Sequence, residues 1–105
     1  KYCKTNFNGC LINLYRDGND RMGWHSDNEK ELDLSKPIAS LSIGAKRSFL
    51  LKRRDGLYKE SIELKNGDLL KMHPQCQNDW LHCLPKRKKV NEPRINLSFR
   101  CYLDL

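Results

Sequence analysis

The segment Trp24-His25-Ser26-Asp27 places an imidazole and a carboxylate two residues apart. In extended backbone, residues i and i+2 point to the same face, so one ring nitrogen and one carboxylate oxygen can converge on a single ion. A third ligand must come from elsewhere in the chain. His82, in the strand-like run NDWLHCLPK, is the best candidate; His73 precedes Pro74 and falls in a turn. Two histidines and one carboxylate on one side of an ion leave the opposite positions open, the arrangement that suits non-haem Fe(II) oxygenases. A structural zinc site would instead close its shell with four protein ligands, and Cys76 and Cys83, with His73 and His82 nearby, match no common zinc spacing. An HxD triplet by itself is common, and a lone His beside an Asp is more often a hydrogen-bonded structural pair.

The run RINLSFR near the C-terminus adds a second constellation. Alternation puts Arg94, Asn96, Ser98 and Arg100 on one face and Ile95, Leu97 and Phe99 on the other. The apolar trio reads as core. Asn and Ser are poor choices for a solvated strand face, and two arginines beside them point to an anionic ligand, because the guanidinium fork matches a carboxylate or phosphate. The plainer reading is a solvated edge strand. An HxD, a distal His and a late strand arginine together form a stronger pattern. Such an arginine can grip the far carboxylate of a diacid whose near end chelates the iron.

These side chains need a scaffold of strands. Turn signals recur at DGND (17–20), KP (36–37), GA (44–45), RDG (54–56), NGD (66–68), HP (73–74), LPK (84–86) and NEP (91–93). Between them lie short alternating runs: CLINLY, PIASLSIG, RSFLLK, YKESIEL, DLLKM and RINLSFR. This spacing predicts an all-β barrel or sandwich of about eight short strands, for which a jelly roll is a fit. Only NEKELDLSK (28–36) has helical potential.

At 105 residues the chain has room for one domain with a modest core. No apolar run approaches the roughly 18–20 residues of a membrane helix, and no signal peptide opens the chain. It begins without Met, as a piece cut from a longer protein would. The 20 Lys+Arg and 13 Asp+Glu give a net charge of +7, and all of the excess falls in residues 46–105. A one-sided basic surface favours polyanions, nucleic acid foremost. Lys86-Arg87-Lys88-Lys89 is the densest basic run, and Lys52-Arg53-Arg54 is a second candidate patch or a charged hairpin tip. Cysteines at 3, 10, 76, 83 and 101 are odd in number with no CxxC pair, so a disulfide framework is not expected. The expectation is a reducing intracellular compartment, the cytoplasm or, in a eukaryote, the nucleus.

At this point the sequence resembles the AlkB family of Fe(II)- and 2-oxoglutarate-dependent dioxygenases. The matching residues are Asn13-Leu14-Tyr15, the segment 17–29 (DGND…GWHSDNE), PIASLSIGA (37–45), GDLL (67–70), Trp80 with His82, LPK (84–86) and PRINLSFR (93–100). The RxNxSxR pattern is the most specific; Ser98 stands where the family usually has Thr. The resemblance implies a double-stranded β-helix, a jelly-roll variant, with His25, Asp27 and His82 as Fe(II) ligands. It implies that Arg94 pairs with the distal carboxylate of 2-oxoglutarate, with Tyr15 and Asn96 hydrogen-bonding nearby. Arg100 and Asn13 would serve the metal-proximal end of the cosubstrate or brace Asp27, and Ser98 shares their face. Glu29 matches an acidic residue that probes the target base, and Asn28 departs from the Asp of some relatives. Trp24 and Trp80 are candidate stacking groups, with core packing the plainer reading.

The activity implied is oxidative dealkylation of bases in DNA: iron, 2-oxoglutarate and O2 oxidise an N-methyl group, which leaves as formaldehyde beside succinate and carbon dioxide. The base must leave the stack to reach the iron. The basic run 86–89 would meet phosphates, as in relatives that work on duplex DNA. Residues 1–105 would form the catalytic core, without the N-terminal segment that covers the base in family members, and a monomer is the default expectation. Two other readings are the same chemistry on RNA and a non-catalytic nucleic-acid-binding β-barrel.

Overall fold

The computed structural model describes residues 5–27 and 29–103. Its elements are β1 (Gly9–Tyr15), β2 (Met22–His25), β3 (Ile38–Gly44), β4 (Arg47–Arg53), β5 (Lys59–Leu64), β6 (Leu69–Met72), α1 (Pro74–Asp79), β7 (Trp80–Leu84) and β8 (Arg94–Arg100). They form two four-stranded sheets, ordered β1-β8-β3-β6 and β2-β7-β4-β5. Every named strand pair is antiparallel. The alternating runs of the sequence therefore became strands at nearly their expected bounds.

The helix lies elsewhere than expected. Residues 29–36 form turns, with Leu32 bridged to Tyr102. Asp33 Oδ1 accepts hydrogen bonds from the Ser35 backbone N–H and hydroxyl. Short polar side chains offer the backbone such local alternatives to a helix, and here they prevail. The segment after His73 becomes α1 instead of a bare turn. Pro74 sits at its first position, where a missing N–H costs nothing and φ is preset.

Strand β8 runs between β1 and β3, and its register lines up the polar residues. Asn96 is partnered by Asn13 on one side and Ser42 on the other; Ser98 lies between Leu11 and Ser40; Arg94 pairs with Tyr15. The polar face of β8 is the buried one: Arg94 is 3% exposed, Arg100 2% and Ser98 6%. The apolar trio Ile95, Leu97 and Phe99 is only half-buried, on the face shared with exposed Ile12 and Leu14. Reading the trio as core is therefore corrected. Alternation settles which residues share a face, and a separate condition settles which face turns inward. Here the polar side chains bond to one another, which makes their burial tolerable. The buried apolar residues include Tyr15, Leu32, Ile38, Leu64, Met72 and Leu84. Among the described residues no helix is long and apolar enough to cross a membrane.

Candidate active site

His25 ends β2 and Asp27 follows two residues later; His82 lies on the neighbouring strand β7 as the direct partner of His25. Between Met22↔Leu84 and His25↔His82 the strand β2 carries one extra residue. Such a bulge re-aims the side chains beside it. The ligand atoms of His25, Asp27 and His82 all lie within 4.8 Å of one another. His25 Nε2 is 3.9 Å from Asp27 Oδ1, and His82 Nε2 is 3.9 Å from Asp27 Oδ2.

The donor set fits a divalent metal. His25 Nδ1 lies 2.7 Å from the Gly23 carbonyl oxygen, a bond that puts the proton on Nδ1 and leaves the Nε2 lone pair toward Asp27. Both ring nitrogens of His82 are buried with no hydrogen-bond partner among the described residues. Burial first, then the neighbouring His25, push the His82 pKa well below its ordinary value; Asp27 opposes this. A neutral, unpartnered imidazole beside a carboxylate is ready to ligate a cation. His73 only caps α1 from an exposed position, and Cys76 and Cys83 are thiols whose pKa burial raises. Among the described residues the His25–Asp27–His82 group is the one such cluster.

Arg100 braces the carboxylate, its Nη2 3.1 Å from Asp27 Oδ1 and its Nη1 3.0 Å from Glu29 Oε1. From the other side, the Asp27 backbone N–H donates to Gln77 Oε1 at 2.9 Å. Gln77 is buried on α1, and the sequence reading assigned it no role. Arg54 ties the same region together, donating to Ser26 Oγ, the Asn78 carbonyl and the Gln77 carbonyl. Arg53 pairs with Asp55 and stacks on Tyr58, and Lys52 lies over Trp24. The run 52–54 is thus engaged locally, and Arg54 works as a clamp under the HxD segment.

A cavity of about 140 Å³ adjoins the cluster. It is smaller than the roughly 300 Å³ at the low end for drug-sized ligands, which suits a small acid. All three candidate metal ligands line it, as do Asn13, Tyr15, Arg94, Asn96, Ser98 and Arg100. Arg94 donates from Nη2 to Ser42 Oγ at 2.9 Å and lies 5.5 Å from the Tyr15 ring centre, while its Nε has no partner. Among the described residues no carboxylate lies within ion-pair distance of it. Burial pulls its pKa down, against the pull of Tyr15. A buried cation without a counter-charge is costly, and an anionic ligand removes the cost. Asn96 accepts from the Ser40 hydroxyl and donates to Ser98 Oγ at 2.9 Å. Ser40 and Ser42, within the quoted PIASLSIGA run, were given no role from sequence, although both belong to the alternating face opposite Arg94, Asn96 and Ser98.

Some expected site residues lie apart. Glu29 is half-exposed and tied to Arg100, outside the cavity lining. Asn28 falls outside the described residues. Lys86, Arg87, Lys88 and Lys89 are exposed and do not line the cavity. Trp24 is 40% exposed and Trp80 half-buried, so neither packs as core.

Comparison with known proteins bears on this geometry. The 2OG-Fe(II) oxygenase superfamily matches residues 1–100, and the chain belongs to that superfamily. Within it the chain groups with the AlkB family. It is 45% identical over 102 residues to the DNA oxidative demethylase ALKBH2 of Bos taurus, covering 90% of this chain and 37% of that protein. It is 43% identical over 103 residues to the alpha-ketoglutarate-dependent dioxygenase alkB homolog 3 of Homo sapiens, covering 90% of this chain and 36% of that one. The chain thus spans little more than a third of these relatives' length. A solved structure titled "The structure of OsALKBH1" superposes with a TM-score of 0.71 at 23% identity, over 92% of this chain and 49% of that one. That likeness concerns the fold: an all-β, jelly-roll-like arrangement of antiparallel sheets.

Proposed function

We propose that residues 1–105 form the catalytic core of an Fe(II)- and 2-oxoglutarate-dependent dioxygenase that removes N-alkyl groups from bases in DNA. The observation that carries this reading is one cavity lined both by a His–Asp–His cluster and by a buried arginine without a counter-charge. The names of the ALKBH2 and alkB homolog 3 relatives support DNA as substrate. In this reading the two sheets close as a double-stranded β-helix around the cavity.

His25, Asp27 and His82 would hold Fe(II), and Arg94 would hold the distal carboxylate of 2-oxoglutarate, with Tyr15, Asn13, Asn96 and Ser98 as its polar surroundings. Bound together with O2, iron and 2-oxoglutarate supply the oxidation of the N-alkyl carbon, and succinate, carbon dioxide and an aldehyde leave. The chain's own residues supply order. The Gly23 carbonyl fixes the His25 tautomer, so that Nε2 is a lone-pair donor. Arg100 holds the Asp27 carboxylate in place. Arg94 sets the diacid's direction through a two-pronged guanidinium. Such positioning is what a reaction with an unactivated C–H bond requires of the protein.

Lys86, Arg87, Lys88 and Lys89 would meet substrate phosphates, and Glu29 would face the base. The four described cysteines, 10, 76, 83 and 101, are free thiols, which supports a reducing compartment, cytoplasm or nucleus. The decisive experiment is mass spectrometry of methylated oligonucleotides after incubation with iron, 2-oxoglutarate and ascorbate. Single-stranded DNA, duplex DNA and RNA are compared at one salt concentration. Loss of the methyl mass from DNA with matching formaldehyde is expected. Faster turnover of RNA reassigns the substrate; binding of every oligonucleotide with no succinate formed leaves the non-catalytic reading.

A further inference from the structure

Arg47 opens β4 and is 1% exposed. Its guanidinium donates from Nη1 to the Asp17 carbonyl at 3.2 Å, and from Nη2 to the Asp20 and Pro85 carbonyls at 2.9 Å each. All three acceptors are neutral, and among the described residues no carboxylate lies within ion-pair distance. A methionine would fill the same space without desolvating a charge. What it cannot do is pin three carbonyls from two segments distant in sequence. Those segments are the 17–20 turn and the residue immediately before the basic run 86–89.

A second contact joins the same two segments. The Gly18 N–H donates to the Val90 carbonyl at 2.7 Å, and the Gly18 carbonyl accepts from the Arg87 N–H at 2.8 Å. The Val90 N–H closes the loop onto the Arg87 carbonyl at 3.0 Å. The backbones approach so closely that a Cβ on Gly18 would lie 1.6 Å from the Arg87 carbonyl oxygen. Arg47 thus holds the entry of the basic loop and Gly18 holds its middle and exit. The side chains of residues 86–89 stay exposed.

We infer that Arg47, seconded by Gly18, is a positioning residue for nucleic-acid binding: it fixes the backbone of loop 86–89 so that its four cations present themselves to phosphates as a rigid array. The inference rests on the reading above that this loop meets phosphates. A loop already ordered loses little entropy on binding, which is where preorganisation raises affinity. Tyr15 stands between Arg47, 5.8 Å from its ring centre, and Arg94, 5.5 Å away. The loop anchor therefore backs directly onto the cosubstrate pocket, and the test must separate DNA binding from 2-oxoglutarate binding.

The test compares Arg47→Met, Gly18→Ala and the charge variant Lys88→Ser/Lys89→Ser, singly and combined, on a methylated duplex oligonucleotide over a series of salt concentrations. Each is expected to raise KM for the duplex about ten-fold, with kcat held within about two-fold. The slope of log(kcat/KM) against log salt should become shallower by about 1–2, since each phosphate contact contributes roughly 0.9. Because Arg47 acts through the loop, adding Arg47→Met to the Lys88→Ser/Lys89→Ser pair, where only Lys86 and Arg87 remain to be positioned, should cause a clearly smaller loss than Arg47→Met causes alone. Additive losses, or an unchanged salt slope in Arg47→Met, overturn the inference and leave the loop's phosphate role standing. A silent Lys88→Ser/Lys89→Ser pair overturns both. Folding and cosubstrate binding are read separately, by circular dichroism and by the rise in Tm with 2-oxoglutarate. If Arg47→Met fails to fold, Gly18→Ala decides between the same outcomes, because it displaces the loop without removing a buried charge.

Discussion

His25 and His82 face each other across β2 and β7 as direct strand partners, their ring centres 4.3 Å apart. A local signal, His25 and Asp27 two residues apart, is thereby joined to a residue far along the chain by nothing more than strand pairing. The bulge in β2 belongs to this arrangement, since removing the extra residue would turn His25 to the other face. A weak visible band is expected from the protein with Fe(II) and 2-oxoglutarate under anaerobic conditions; substituting either histidine by Ala should abolish it and lower turnover by at least about a hundred-fold. A band that survives His82→Ala would remove His82 from the metal.

Arg94 tests the cosubstrate. Truncating one partner of a buried hydrogen-bonded charge pair costs roughly 2–5 kcal/mol, so Arg94→Met should weaken 2-oxoglutarate binding by about 30-fold or more. The measurement is the dependence of Tm on 2-oxoglutarate concentration. Arg94→Lys should not restore the wild-type value, because an ammonium cannot reproduce the two-pronged grip. Equal stabilisation of Arg94→Met and wild type by the diacid would show that the anchor lies elsewhere.

Arg100 is bound to two carboxylates with different tasks. Its contact with Asp27 braces a candidate metal ligand, and its contact with Glu29 fixes a half-exposed acid outside the cavity. Arg100→Met should reduce metal affinity by about 10–100-fold, the range for partners of metal ligands. Glu29→Gln should leave metal affinity within about three-fold of wild type and shift the relative rates on different methylated bases. Metal titration of both variants, followed by competition between methylated oligonucleotides, separates the two tasks.

Much of this site was legible in the residues themselves. Alternation in RINLSFR put Arg94, Asn96, Ser98 and Arg100 on one face, and pairing with β1 and β3 then supplied Tyr15, Asn13, Ser40 and Ser42 opposite them. Which face turned inward was not legible, because alternation is symmetric between the two. Gln77 and Arg54 were hidden for another reason. Their roles depend on α1 forming after Pro74 and packing beneath the HxD segment, and a six-residue helix carries too little periodicity to announce itself. Arg47 read as one more cation in a basic half, since burial of a charge leaves no mark in composition.

Acid should act on the metal-free protein through His82. Its pKa in the folded chain is pushed down to about 4 from 6.5, first by burial and then by His25, against the attraction of Asp27. The unfolded chain therefore binds more protons than the folded one between these values, and stability rises with pH across that window. The His82 contribution is fully present above about pH 6.5 and is lost progressively as pH falls toward 4. Fe(II) or another divalent ion should steepen the loss, because a metal held by His82 would compete with the proton for the same nitrogen. Thermal melts at closely spaced pH values, with and without metal, check both statements. In His82→Gln the pH slope of the metal-free protein should flatten across this window; an unchanged slope would assign the acid sensitivity to other groups.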